Sequence, residues 1–590
     1  MTHRLLILFL LLPSLSCDRP KPTPPPSTSS TQQSQIAKPG SPEAARKSQI
    51  TSPLFTNISQ RAGLTAISFC GGPTRDHLLE STGQGCAFID YDDDGWLDII
   101  VLSGHQLDDN PDRRTILKKG GITLYHNLGN GKFQDVTAAA NIHDDSWACG
   151  ICAGDYDNDG HIDFYVTCFG PNRLYHNRGD GTFEQVAEKA GVANSSWGAG
   201  CSFFDADGDG FLDLYVANYV DATMEDVLAA RRTTTYQDKL KVMAGPFGFR
   251  GARDKFFHNN GHGAFTDATR ESGLEDIAEA YGLGVLTADL DGDGDIDIYV
   301  ANDSNPNYLY RNDGHGRFTE IGVWSGAGVN IEGKAQASMG VDSADFDGDG
   351  ISDIYITNFA RDSDTFYRGR PGLYFDDITA SLNLKPITYM PLSWGCAFLD
   401  YDNDGDPDLF ICNGHIYPQV DEHPELGESY AQRNTLLRNE NGKLVDATAT
   451  GGIDLNTKRS HRGLAIGDFN NDGALDLLLT AIDSPPILLH ARPPNPANHW
   501  LQLRLLDRHN RDAIGATVKL TAGGKTQMRE LRSGSTYASQ SALRLHFGLG
   551  PTTQIQNLEI RWPDGQKTTH QNIAVDKLLT FHEPPMSAPR

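Results

Sequence analysis

Seven copies of one nine-residue pattern, Asp-x-Asp/Asn-x-Asp-Gly-x-x-Asp, run through this 590-residue chain and constrain its fold more than any other feature. They are DYDDDGWLD at Asp90–Asp98, DYDNDGHID at Asp155–Asp163, DADGDGFLD at Asp205–Asp213 and DLDGDGDID at Asp289–Asp297. DFDGDGISD at Asp345–Asp353, DYDNDGDPD at Asp400–Asp408 and DFNNDGALD at Asp468–Asp476 complete the set. Every copy keeps carboxylates at positions one, five and nine and glycine at position six.

The spacing points to metal chemistry. Ca2+ takes about six to eight oxygen ligands in forgiving geometry, alternate residues of a tight loop turn inward, and glycine permits the bend. The expected ligands are Asp90, Asp92, Asp94 and Asp98 in the first loop, and Asp155, Asp157, Asp159 and Asp163 in the second. The third loop supplies Asp205, Asp207, Asp209 and Asp213, and the fourth Asp289, Asp291, Asp293 and Asp297. The remaining sets are Asp345, Asp347, Asp349 and Asp353, then Asp400, Asp402, Asp404 and Asp408, then Asp468, Asn470, Asp472 and Asp476. Up to seven Ca2+ ions are the expected cofactors. Mg2+ suits such cages less well because it gives up water reluctantly. The bland alternative is a set of Asp-Gly turns without metal. An EF-hand is excluded, since position twelve holds Val101 or Val166 rather than Glu and β-branched strands follow each loop.

A second phrase follows each loop: LYHNLGNGKFQDVT from Leu124, LYHNRGDGTFEQVA from Leu174, FFHNNGHGAFTDAT from Phe256, LYRNDGHGRFTEIG from Leu309 and the weaker LLRNENGKLVDATA from Leu436. It reads as strand, Asn/Gly turn, strand, so each unit has four short strands. Seven such units predict an all-β, seven-bladed propeller with calcium loops. The last unit lacks its fourth strand, and Leu54–Ile58 is predicted to supply it from the N-terminal end. Arg178-Gly179-Asp180 spells an adhesion tripeptide but falls in the Asn-x-Gly turn, and reads as turn chemistry.

These repeats resemble the FG-GAP/VCBS repeats of integrin-α-like propellers, in which Asp loops bind structural calcium. The resemblance covers roughly Ser52 to Ala491, and residues 51–494 are assigned to the propeller. After Pro493-Pro494-Asn495-Pro496 the Asp loops stop and alternating strands begin. Asn510–Ala516, Ser539-Gln540-Ser541, His546-Phe547-Gly548-Leu549-Gly550 and Ile560–Gly565 resemble the ASPIC/UnbV domain, placed at 498–585 ahead of a tail at 586–590. The pairing is that of the cartilage acidic protein family and its bacterial relatives. It implies a small β-sandwich after the propeller. Arg529, Glu530 and Arg532 read either as a polar site or as a solvated strand face.

The first residues read as an address. Arg4 precedes the apolar run Leu5–Leu12, too short to span a bilayer, and Cys17 stands where a bacterial lipoprotein signal carries its lipidated cysteine. Residues 1–17 are read as that signal and 18–50, rich in Pro, Ser and Thr, as a disordered tether. The expected location is the cell envelope or the medium, with membrane contact only through the lipid. The other eight cysteines are free to pair in an oxidising compartment. Cys396 and Cys412, eight residues either side of Asp404, are expected to face each other across the sixth loop's hairpin.

Charge bears on partners. The chain carries 77 Asp and Glu against 50 Lys and Arg, which excludes a nucleic-acid binder. The seven loops hold 30 of those acidic residues and no Lys or Arg, so the acidity belongs to the loops.

In each blade the first and third turns share one face. The Asp loops lie there, and the long insertions Ser103–Ile122, Tyr219–Lys255 and Asn413–Asn434 decorate the opposite face. On that face His105, His415, Tyr417, Asp421 and Gln432 are the candidate ligand-binding residues, His105 and His415 through the shared Gly-His phrase. The alternative is that both histidines only hydrogen-bond nearby backbone. No catalytic motif is present, and no catalytic residue is named. The leading reading is an exported calcium-binding propeller acting as a binding or adhesion module for a glycan or protein. The rival is a calcium-stabilised enzyme with its site on the insertion face.

Overall fold

The computed structural model describes residues 54–110, 114–274, 279–492 and 495–585, which belong to one compact unit. The signal, Cys17, the tether and the tail lie outside the described residues.

Seven four-stranded antiparallel sheets form the blades. The second strand of each blade is sandwiched between neighbouring blades and is apolar almost throughout; Asp213–Asn218 and Asp297–Asn302 are buried at every position. Outer strands such as Phe133–Asp135 bury only their first residue. Innermost strands pack on one another in order, from Cys86–Ile89 through Trp147–Gly154 and onward to His461–Gly467, which returns to Cys86–Ile89 and closes the ring. Phe55–Asn57 completes the seventh blade as expected, with Phe55 opposite Ala491 and Asn57 opposite Leu489.

Close approach of the inner strands explains their glycines. A Cβ on Gly150 or Gly340 would lie 2.2 Å from the next blade's carbonyl, Ala199 or Trp394 respectively. Thr167 and Thr357 sit at these bulges, accept from the glycine N–H and donate to that same carbonyl at 2.6 Å.

Two further sheets follow the propeller. One orders Leu545–Gly550, His499–Leu506 and Lys577–His582; the other orders Lys525–Glu530, Thr517–Ala522, Gln554–Arg561 and Lys567–Ala574. Leu503 and Phe547 from the first meet Val518, Leu558 and Ile560 from the second in one buried apolar cluster. That cluster continues into Tyr165, Phe203 and Leu214 of blades 2 and 3.

The sandwich sits on the Asp-loop face and sends residues 533–542 into the centre of the ring. Thr536 exchanges both backbone hydrogen bonds with Val341 of blade 5, at 3.0 and 3.1 Å. Ala538 accepts from Ile151 of blade 2, Gln540 pairs with Cys86 and Phe88 of blade 1, and Ala542 donates to Ile466 of blade 7. These are innermost-strand groups with no partner within their own blade, so the segment satisfies backbone that a water-filled channel would otherwise hydrate. Tyr537 at its tip is 2% exposed, donates to Thr82 O at 3.0 Å and packs edge-on to Trp394.

The cysteine expectation is overturned. All eight described cysteines are free and buried. The sixth hairpin pairs Leu399 with Asp408, which places its centre between Asn403 and Asp404 and sets Cys396 opposite Ile411. A one-residue offset sends Cys412 to the other face of the blade, and the two thiols enter different clusters.

Candidate functional site

The ninth Asp of each loop is a buried staple. Asp98 Oδ2 accepts from the N–H of Tyr91 at 3.1 Å, and its Oδ1 accepts from Asn127 on the third strand at 2.7 Å. The same pair of bonds recurs at Asp163, Asp213, Asp297, Asp353, Asp408 and Asp476. It joins the Asp loop to the third strand in all seven blades. Burial pushes these carboxyls up, Asp98 to about 9, Asp297 to about 8 and Asp353 and Asp476 to about 7.

The first Asp holds the turn. Asp155 Oδ1 accepts from Asn158 N and its Oδ2 from Gly160 N, the glycine standing at φ 89° where a Cβ would be strained. Positions one, three and five then converge, Asp90 with Asp92 and Asp94 lying within reach of one ion. Buried oxygens of Asp90, Asp157, Asp345, Asp402 and Asn470 have no hydrogen-bond partner among the described residues. A set dominated by carboxylate oxygens, with orphaned acceptors, suits a hard cation such as Ca2+, although His126, His176 and His258 lie within reach of three of the clusters.

A further residue, missed in the sequence, faces the loop from the third strand in five blades. In blades 1, 2, 3 and 7 it is His126, His176, His258 and His490, with Nδ1 at 3.0 to 3.5 Å from the ninth Asp. The facing carboxylate raises His176 and His258 to about 9, and His258 hydrogen-bonds Asp213 at 3.1 Å. Arg311, Arg368 and Arg438 hold the equivalent sequence position in blades 4 to 6, and Arg368 pairs with Asp347.

The Asn that follows was read only as a turn residue, yet it joins blades. Asn177 Nδ2 donates to Tyr91 O of blade 1 at 2.7 Å, Asn259 to Tyr156 O of blade 2 at 2.7 Å and Asn312 to Ala206 O of blade 3 at 2.8 Å. Asn127 closes the circle on Phe469 O of blade 7. Its signal was the invariance of Asn across the five LYHN-like phrases.

Arg529, Glu530 and Arg532 form no solvated strand face. Glu530 accepts from Asp289 N at 3.1 Å, and Arg532 reaches Asp342 of blade 5 at 3.1 Å. Other sandwich residues touch the loops directly: Arg544 meets Asp90, Arg511 bridges Asn158 and Gly210 O, Lys525 meets Asp406 and Gln502 donates to Asp468.

The three insertions build a cap on the opposite face. The hairpin Thr233–Tyr236/Leu240–Met243 of blade 3 crosses to blade 6, where Tyr417 donates to Met243 O at 3.0 Å and Tyr236 to Glu428 at 2.9 Å. His415 is fully buried, its Nδ1 accepting from Tyr417 N and its Nε2 lying 3.3 Å from Glu428. Burial lowers its pKa. His105 is 8% exposed, accepts from Gly120 N and packs on Trp147. Gln432 is buried and accepts from Leu392 N, while Asp421 is exposed and accepts from Tyr430 N. Of the five candidates only Tyr417 lines the cavity of about 610 Å3 beneath the hairpin.

Residues 506–588 match the ASPIC and UnbV family, and residues 90–166, 155–216, 242–300, 289–356 and 345–411 match the FG-GAP-like repeat. Cartilage acidic protein 1 of Mus musculus is 27% identical over 325 residues, covering 54% of this chain and 47% of that protein. The Homo sapiens protein is 26% identical over 329 residues, covering 54% and 46%. The chain thus spans about half the length of the curated relatives it matches. Among solved structures, YCF48 bound to D1 peptide aligns with a TM-score of 0.38 at 7% identity, covering 75% of this chain and 96% of that one. Repeats and C-terminal sandwich together make the chain a member of the FG-GAP-repeat family that ends in an ASPIC/UnbV domain, homologous to cartilage acidic protein 1.

Proposed function

We propose that the protein is an exported, Ca2+-loaded propeller that acts as an extracellular binding module for a glycan or protein, anchored through a lipid on Cys17. The orphaned buried oxygens of Asp90, Asp157, Asp345, Asp402 and Asn470 carry the calcium part of this reading. A carboxylate oxygen desolvated without a donor is costly, and a cation offsets that cost. The metal would supply charge neutralisation; the chain supplies turns held by the first Asp and tied to the third strand by the ninth. The FG-GAP and ASPIC/UnbV assignment supports a binding role, and the cap offers a cavity for it.

Elemental analysis and a thermal melt test the metal. The expected result is up to seven Ca2+ per chain and a melting temperature that falls strongly with chelator and returns with Ca2+, since binding to the native loops is folding free energy. A melt unaffected by chelator would reduce the loops to Asp-Gly turns.

A further inference from the structure

We infer that the cavity under the blade 3 hairpin is a binding site for a small organic cation, a primary ammonium carried on an aromatic or branched apolar body. The inference rests on the reading of the propeller as a binding module and names the ligand class.

The cavity measures about 610 Å3, within the usual range for a small-molecule site. Its floor is apolar and buried: Leu283 is 2%, Met339 3% and Trp394 3% exposed. Phe247 on its rim is 58% exposed, so the cavity opens to solvent. Tyr236, Tyr417 and Phe359 crowd one wall, with ring centroids 5.4 to 6.4 Å apart.

Charge decides the occupant. Among the described residues the lining contains two carboxylates, Asp303 and Asp362, and neither lysine nor arginine. Asp303 accepts from Tyr219 OH at 2.7 Å and Ser304 Oγ at 2.8 Å, and Asp362 accepts from Gln336 Nε2 at 2.7 Å. All three donors are neutral, and among the described residues neither carboxylate is in a direct ion pair. Burial pushes both carboxyls up, the direction a bound cation would reverse.

The cations around the cavity make their direct contacts with other groups. Arg361 turns to Glu428 and Leu426 O, Lys334 pairs with Glu332 and Lys385 lies over the Tyr389 ring, while both lysines act on Asp362 only at longer range. Arg462 lies behind the floor, its guanidinium carbon 4.1 Å from the centroid of the Trp394 ring, and donates to His461 O and to the O of Ser81, itself a lining residue. The rings of Tyr236, Phe359 and Tyr417 line the cavity and offer area for the apolar body of such a ligand. A neutral guest would strip water from Asp303 and Asp362 without replacing it, and an anionic guest would add repulsion.

Titration calorimetry of the Ca2+-saturated protein at pH 7 with 2-phenylethylammonium, 2-phenylethanol and 3-phenylpropanoate tests this. The amine is expected to bind about tenfold tighter than the alcohol, a difference of about 1.4 kcal/mol, and the acid weakest. Asp303→Asn and Asp362→Asn should each erase the preference for the amine. Equal binding of amine and alcohol, no binding of the amine, or selectivity that survives in Asp362→Asn would overturn the proposal. Should Asp303→Asn lose its native melt through the Tyr219 bond, Asp362→Asn decides. The chelator melt is independent of this titration, so a failed ammonium site leaves the calcium reading standing, and the reverse holds too.

Discussion

Arg561 of the sandwich donates from Nη1 to Asp289 Oδ2 at 2.9 Å, and Asp289 is the first carboxylate of the fourth Asp loop. Arg544 makes the same approach to Asp90 at 3.3 Å, and Gln502 reaches Asp468 at 2.8 Å. In three loops the sandwich thus contacts one oxygen of the position-one carboxylate. Loop geometry and sandwich docking share an atom, so a change in one is felt by the other.

That coupling is electrostatic and open to salt. Arg561→Ala combined with Arg544→Ala should lower the melting temperature, by the equivalent of about 0.5–1 kcal/mol for the part-exposed Arg561 pair and more for Arg544, whose side chain is 7% exposed. Melts at about 0.05 M and 1 M NaCl check it, because screening should shrink the Arg561 share first. Equal melts for wild type and variant at low salt would mean that apolar packing alone docks the sandwich.

Tyr537 fills the end of the central channel. Tyr537→Phe loses only the bond to Thr82 O and should cost about 1 kcal/mol, whereas Tyr537→Ala leaves a void and should cost about 3–5 kcal/mol. Urea midpoints with unchanged slopes measure both. Amide exchange should rise at Val341 and Ile151, whose partners are Thr536 and Ala538, in the Ala variant.

Asn177 is fully buried, and its Nδ2 serves Tyr91 O and Ile162 O together. Asn177→Ala leaves both carbonyls without that donor, at a cost of about 1–3 kcal/mol each at most. Denaturant titration should show a loss of that order. The same change at an exposed turn residue such as Asn130 should be nearly silent.

Asp364 carries a pH signature. It is fully buried, accepts from Tyr355 OH and Asn358 N at 2.8 Å each, and burial raises its pKa to about 7. A carboxyl whose folded pKa exceeds its unfolded value binds its proton more tightly in the native state. Its contribution is fully present below about pH 4 and is lost as pH rises to about 7, at no more than about 1.4 kcal/mol per unit. Blade 2 uses Asn172 in this role, accepting from Cys168 N and donating to Tyr165 OH. Asp364→Asn should therefore lessen the fall in stability between pH 4 and 7 and gain on the wild type toward pH 8. Parallel slopes for the two proteins would exclude Asp364 as the titrating group.

The chain announced its repeat and its closure locally. Asp and Gly at fixed offsets define a turn that forms wherever it is placed, and the missing fourth strand after Ile487–Ala491 left only Phe55–Asn57 to supply it. Strand alternation likewise identified a second all-β unit after Asn495.

Tertiary structure decided the rest. Thr536 lies nearly two hundred residues from Val341, and no local pattern tells that Ser539-Gln540-Ser541 belongs to a segment that fills the ring. His415 looked available because its phrase is polar, but the blade 3 hairpin folds over it and buries it against Glu428. Cys396 and Cys412 parted because a hairpin centre moved by one residue reverses which face a side chain takes. Short-range spacing sets turns and strands, since those depend on neighbouring dihedrals. Which surface each blade presents, and what covers it, depends on contacts between residues far apart in the chain, and these the folded ring alone brings together.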